Sequence, residues 1–235
     1  MLHEIDAVDW HSLPGHPDWY DPDRAARGLR ALSEAANPVQ AAEAGSRLGG
    51  GGIVHGHSAA VFPAAVAATP LLLDIARRGH PAARDTALGL IDEALSCYPH
   101  DGYTRVAAPD GTAVPLCCAI AHHLRDRTDF LAGLGKRGRS LLAEAAAHWR
   151  FEIRECVADG GDTAAFGLLA GCLPEGVHAA EMHLAGDLTV LSALSLEYPP
   201  AEGSPEACLR VFARRPGELP PGAVLFPAEC GDRVH

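Results

Sequence analysis

The chain is short of aromatic residues, of positive charge and of every common catalytic signature. Aromatics make up 6% of its 235 residues, and alanine, leucine and glycine dominate instead. A β-sandwich draws on β-branched and aromatic side chains, so this mix favours closely packed helices. Lysine and arginine number 19 against 30 aspartates and glutamates, a formal charge of -11. Such a surface repels phosphate backbones, which argues against nucleic acid as a partner. There is no P-loop, no GxGxxG, no GxSxG, no HExxH and no EF-hand loop. The common nucleotide-binding, hydrolase and metalloprotease classes are disfavoured accordingly.

Cysteine is present without a pattern. Cys97, Cys117, Cys118, Cys156, Cys172, Cys208 and Cys230 show no CxxC spacing. An odd count with no disulfide-like framework, behind an acidic start that is no signal peptide, predicts a protein of the reducing cytoplasm. The adjacent pair Cys117–Cys118 reads as two small hydrophobes in an apolar helix. The longest apolar run is broken by Pro63 and Pro70 and bounded by Asp74, so no membrane span is expected.

What is abundant is helix punctuation. Asp21-Pro22, Asn37-Pro38, Thr69-Pro70 and His80-Pro81 each read as an N-cap followed by proline at the first turn. Leu88, Ile91 and Leu95 recur on one face of the helix that His80-Pro81 opens, and that face is predicted to be core. Residues 98–112 read as a long turn-rich loop. Helices are expected to resume over 114–134, 140–157, 162–172, 178–198 and 204–215. The whole is expected to be one helical domain, with an irregular lead-in over 1–20, a helical array over 21–215 and a Pro/Gly-rich tail over 216–235. Only Ala223–Phe226 in that tail reads as an ordered contact.

Pro38 to Pro81 is a step of 43 residues and Asp162 to Ser204 one of 42. Both match the period of roughly 40 to 47 residues of two-helix repeats. Residues 38–49, 81–91 and, more loosely, 140–149 resemble HEAT repeats of the actinobacterial type. His57, Val61-Phe62 and residues 70–73 are the counterparts of further family features, while the four-glycine run and the second histidine depart from them. The resemblance covers residues 20–160. It implies an all-α, HEAT-like α-solenoid of antiparallel helix pairs, and it implies no activity, because such folds host many functions.

The stretch Gly49–Ala76 carries the candidate site. Four glycines precede His55 and His57, and a flexible turn can aim an imidazole whose pKa lies near neutrality. His57 and His55 are the candidate acid and base, aided by Asp101 or Tyr103. Gly52, Ser58, His100, Arg105, His122 and His123 are the candidate ligand-binding residues. No metal ligand and no cofactor are assigned, although a divalent metal held by histidine stays open, since two histidines need a third ligand. His178 and His183 read as surface or core-edge residues. Two functions follow. One is a binding or scaffolding protein holding a protein or peptide on a concave acidic face. The other is an enzyme acting on a small polar substrate near His55 and His57.

Overall fold

A polar residue followed by proline starts three helices where the sequence signals them. After a one-turn helix α1 (Leu2–Asp6), α2 spans Pro22–Glu34, and the Asp21 carboxylate accepts from the Asp23 and Arg24 amides. Helix α3 (Pro38–Gly49) is capped by Asn37, and a later helix, Pro81–Ser96, by the His80 ring. Between them lies α4 (Ala64–Arg78), so that Pro81–Ser96 is α5. Thr69-Pro70 starts nothing: Pro70 sits inside α4, and the Thr69 hydroxyl bonds back to the Ala65 carbonyl. Helices α6 (Leu116–Arg125), α7 (Thr128–Gly133) and α8 (Lys136–Ala147) complete the layer. Leu88, Ile91 and Leu95 are buried at its centre, as their spacing predicts.

The structure is a computed structural model that describes residues 1–108 and 111–235. Pro109 and Asp110, part of the loop expected over 98–112, lie outside the described residues. Short strands interrupt the helical layer. Val54–His55 (β1) pairs antiparallel with Ala60–Val61 (β2), which pairs parallel with Tyr98–Pro99 (β3). Arg105–Ala107 (β4), in the expected loop, pairs antiparallel with Ala113–Pro115 (β5), which lies past its end and takes the first residues of the helix expected from 114.

From Arg150 onward the all-α, HEAT-like solenoid is overturned. Strands β6 (Arg150–Asp159), β7 (Asp162–Ala170), β8 (His178–Leu184), β9 (Asp187–Tyr198), β10 (Glu206–Val211) and β11 (Val224–Pro227) close into an antiparallel barrel. Their order around it is β10-β7-β6-β11-β8-β9. The helices expected over 140–157, 162–172, 178–198 and 204–215 are thus wrong from residue 148 on. Trp149, Ile153 and Cys156 fit a helical period, but Phe151 and Ile153 also alternate with Arg150, Glu152 and Arg154. That period of two is the one the backbone adopts. In β7 the alternation is strict, with Thr163, Ala165, Gly167 and Leu169 buried and Phe166 exposed. Two-residue turns at Gly160-Gly161 and Ala185-Gly186 set the hairpin registers, pairing Asp159 with Asp162 and Leu184 with Asp187.

Residues 216–235, expected as a tail, supply β11, which hydrogen-bonds to both β6 and β8 and closes the barrel. A one-turn helix α9 (Ala228–Gly231) follows it. The molecule therefore has one apolar core within the helices and another within the barrel. A third, small cluster lies between them: Cys117, Cys118, Val224, Phe226 and Cys230, with Val114 against it. Among the described residues no helix is long and apolar enough to cross a membrane.

Candidate functional site

Three distant segments bring sulfur and imidazole together at the seam between helices and barrel. Pro115 ends β5 and turns the chain into α6, whose first turn carries Cys117 and Cys118. His148 terminates α8, and α9 holds Cys230 against β8 and α6. The ligand atoms of these four residues all lie within 4.8 Å of one another, and all four side chains are buried. His148 Nδ1 lies 3.3 Å from Cys230 Sγ. The other nitrogen of that ring, Nε2, is buried and has no hydrogen-bond partner among the described residues.

The thiols are electrostatically unequal. Hydrogen bonds from Cys118 and then Cys230 hold the Cys117 thiol well below its ordinary pKa, with His148 adding to the effect against burial. Burial pushes Cys118 well above its ordinary value, and the shared proton with Cys117 pushes Cys230 up. The asymmetry makes Cys117 the first of the three to ionise, with its neighbours as hydrogen-bond donors. The start of α6 favours that charge, since the helix N-terminus is electropositive.

Arg125, at the far end of α6, ties His148 down. Its Nη1 donates to the Ala145 carbonyl at 2.9 Å and to the His148 carbonyl at 3.0 Å, satisfying the open end of α8. Behind α9 lies a second polar group. Glu181, buried on β8, takes Arg105 Nη2 at 2.5 Å and lies 3.0 Å from His183 Nε2, close but poorly aligned for a hydrogen bond. Burial acts to raise the Glu181 pKa, but His183 and Arg105 outweigh it and hold the carboxyl below its ordinary range. A Cβ on Gly231 would come within 2.1 Å of Glu181 Oε2, so the ion pair packs directly on the residue after Cys230.

A cavity of about 420 Å³ opens beside the thiols. Cys118, Ala119, His122, His123 and Arg125 of α6 form one wall, and Arg150, Val224 and Phe226 of the barrel another. Val66, Thr112 and the β4–β5 hairpin close it. Burial lowers the His123 pKa, and burial also lowers that of Arg125. No carboxylate lines the cavity among the described residues.

The residues expected to form the site are distributed differently. His122 and His123 do line this cavity. Arg105 reaches Glu181 instead of the histidines, and neither Asp101 nor Tyr103 makes a side-chain bond to a histidine among the described residues. His55 accepts or donates at Ser58 Oγ, 2.8 Å away, and stacks on Trp19 with ring centres 5.5 Å apart. His100 joins the same cluster, 4.4 Å from Trp19 and 4.9 Å from both His16 and His235. His57 is exposed, 6.2 Å from His55. Ser58 does not cap the apolar helix: it ends a 3₁₀ turn, and α4 begins after Pro63. The left-handed glycine is Gly51, at φ +115° beneath the Trp19 carbonyl, while Gly52 packs beneath α3 against Leu48.

His148 and Cys230 were not singled out from the sequence at all. The available signal was the adjacent cysteine pair together with a third cysteine just beyond Ala223–Phe226, but no spacing rule links them. No family model matches the chain, and neither the curated proteins nor the solved structures contain a match to it, so the HEAT resemblance has no relative behind it.

Proposed function

We propose that this chain is a metalloprotein that holds one thiophilic d¹⁰ cation, zinc in a cell, on Cys117, Cys118, Cys230 and His148. The observation behind it is the gathering of three thiols and an imidazole, all buried, within 4.8 Å. A tetrahedral zinc with sulfur at about 2.3 Å and nitrogen at about 2.0 to 2.1 Å has sulfur–sulfur edges of roughly 3.8 Å and sulfur–nitrogen edges of roughly 3.6 Å. The Cys230–His148 edge, 3.3 Å, is already near that value, and the others close by small side-chain shifts. With Nδ1 on the ion, the ring proton resides on Nε2. Soft sulfur donors with one imidazole and no carboxylate select zinc or copper(I) over magnesium or calcium.

Four protein ligands make a closed centre, and closed centres are structural. The ion joins the start of α6, the end of α8 and the helix after β11, and so couples the helical layer to the strand that closes the barrel. Neither the partner-holding reading nor the histidine acid–base reading has an observation of this kind behind it.

Metal analysis of protein purified without a histidine tag tests this directly. One zinc per chain is expected, exchangeable for cobalt(II) with intense sulfur-to-cobalt charge-transfer bands. Cys230→Ser and Cys118→Ser should each lose most of the ion. A folded protein that carries less than about a tenth of an equivalent, and develops no thiolate–cobalt bands, would remove the proposal. Uptake should release protons and weaken as pH falls, because the thiols must deprotonate to bind.

A further inference from the structure

The cavity beside the thiols does not need the ion, and its walls are selective in their own right. The chain carries a formal charge of -11, yet the cavity wall presents two guanidiniums and two imidazoles and, among the described residues, no carboxylate. The two arginines are not equivalent. Arg150 is already paired, its Nη2 lying 3.1 Å from Glu152. Arg125 has no carboxylate within ion-pair distance among the described residues, and its charge is half-buried.

The hydrogen bonds of Arg125 use one nitrogen. Nη1 serves the Ala145 and His148 carbonyls, and Nε is buried without a partner. What remains for a ligand is Nη2, which is not buried and makes no hydrogen bond among the described residues, on a side chain that lines the cavity. A carboxylate takes such a charged N–H donor more strongly than a neutral acceptor does. Apart from Thr112 and the Cys118 thiol, the remainder of the wall is apolar: Val66, Val106, Val114, Val224 and Phe226 surround the same space. A volume of about 420 Å³ falls within the range of small-molecule sites, which combine apolar walls with a few placed polar groups.

We infer that this cavity is a binding site for a small monocarboxylate with an apolar body, its carboxylate on Nη2 of Arg125 and its body among Val66, Val106, Val114 and Phe226. The inference goes beyond the metal centre and stands without it. The site adjoins that centre nonetheless, since Arg125 also holds the His148 carbonyl and Cys118 forms part of the wall.

Titration calorimetry of the purified protein with octanoate, octylammonium and octanol tests it, with zinc measured on every sample. Octanoate should bind and the other two, of equal chain length, should bind at least tenfold more weakly. Ala119→Trp, at a half-buried position of the cavity wall, fills the cavity without removing a charge, and should abolish octanoate binding while leaving zinc content unchanged. Arg125→Met should weaken octanoate at least tenfold and bring it level with octanol. Octanol binding as tightly as octanoate to the wild-type protein would leave only an apolar hole and overturn the inference. So would absence of octanoate binding at millimolar concentration, or an Ala119→Trp protein that binds as the wild type does. If Arg125→Met does not fold, the Ala119→Trp result decides. Zinc-free protein that still binds octanoate would sink the metal reading alone, and zinc-loaded protein that ignores octanoate would sink this one alone.

Discussion

Leu29, Leu72, Ile75 and Ile91 belong to the core of the helical layer, while Phe151, Ile153, Leu194 and Leu209 belong to that of the barrel. The first core is assembled from local pieces. Each of α2, α3 and α5 carries its own cap and proline, and the sequence neighbours α2 with α3 and α4 with α5 form the closest helix pairs. The barrel has no such independence. Its closing strand, β11, comes from the chain's last stretch and lies between β6 and β8, so nothing seals until residues 224–227 arrive. Both cores are almost wholly apolar. Most of the buried charge and sulfur lies where they meet: Glu181 and His183 on one side of α9, and Cys117, Cys118, Cys230 and His148 on the other. The two regions supply rigid walls, and the seam carries the chemistry.

If the seam couples the regions, damage to either core should be felt by both. Phe151 is fully buried in the barrel, and Phe151→Ala should cost about 3 to 5 kcal/mol. Leu88→Ala, in the helical layer, should cost about 2 to 5 kcal/mol. Urea unfolding followed by far-UV circular dichroism and by tryptophan emission should give a single coincident transition in the wild type and both variants. Two separated transitions, each moved by one mutation only, would show the regions to be independent and the seam to be a passive contact.

A smaller change sharpens the same comparison. Glu181→Gln keeps the shape of the side chain but removes the partner of Arg105, and should cost about 1 to 3 kcal/mol, because Arg105 is only partly exposed. The carboxyl is held below its ordinary value, so its stabilisation is present at neutral pH and is lost as pH falls through the folded value. The difference between wild type and Glu181→Gln should therefore be largest near pH 7 and shrink below about pH 4. A difference that is constant with pH would assign the effect to packing on Gly231 instead of charge.

The same contrast explains what could be read in advance. Helix starts are local: an aspartate, asparagine or histidine before a proline states its meaning within four residues, and α2, α3 and α5 begin where it says. The barrel strands are ambiguous because alanine and glycine replace the valine and isoleucine that usually mark a strand. Residues 162–170, with three alanines and a glycine around the pair Leu168-Leu169, satisfy a helical pattern nearly as well as an alternating one. The Gly160-Gly161 pair between two aspartates was the stronger signal, and it is a hairpin signal. The apparent repeat of 42 residues between Asp162 and Ser204 joined two strand starts and had no structural content. For the thiol centre nothing local existed to be read. His148 reaches Cys117 and Cys118 through the packing of α8 on α6, and Cys230 joins them only because the barrel closes; no spacing in the chain encodes either.

The histidines of the helical layer offer a finer test. His100 is packed among His16, His55 and His235 around Trp19, and burial followed by the charges of those neighbours lowers its pKa. A histidine whose folded pKa is depressed contributes stability above its ordinary value, near 6.5, and loses it as pH falls through the folded value. As pH falls below about 6.5 the protein should lose stability, and Trp19 emission should fall as imidazolium forms beside the indole. His100→Phe should flatten that acid-side loss. An unchanged emission titration would show that other groups carry it.

His57 gives the smallest expected effect and the clearest contrast with His100. Both belong to the histidine-rich face of the helical layer, but His57 stands on an exposed 3₁₀ turn with its nearest ring, His55, 6.2 Å away. It touches neither the thiol centre nor the cavity lined by His122 and His123. His57→Ala should therefore change stability by no more than about 0.5 kcal/mol, the range of an ordinary surface substitution. It should also leave zinc content, octanoate affinity and the acid-side emission change where they were. A loss of zinc or of octanoate binding in this variant would mean that the glycine–histidine turn reaches the seam in a conformation other than the one described. Chemistry in this molecule would then have to be sought on the helical face as well as at its junction with the barrel.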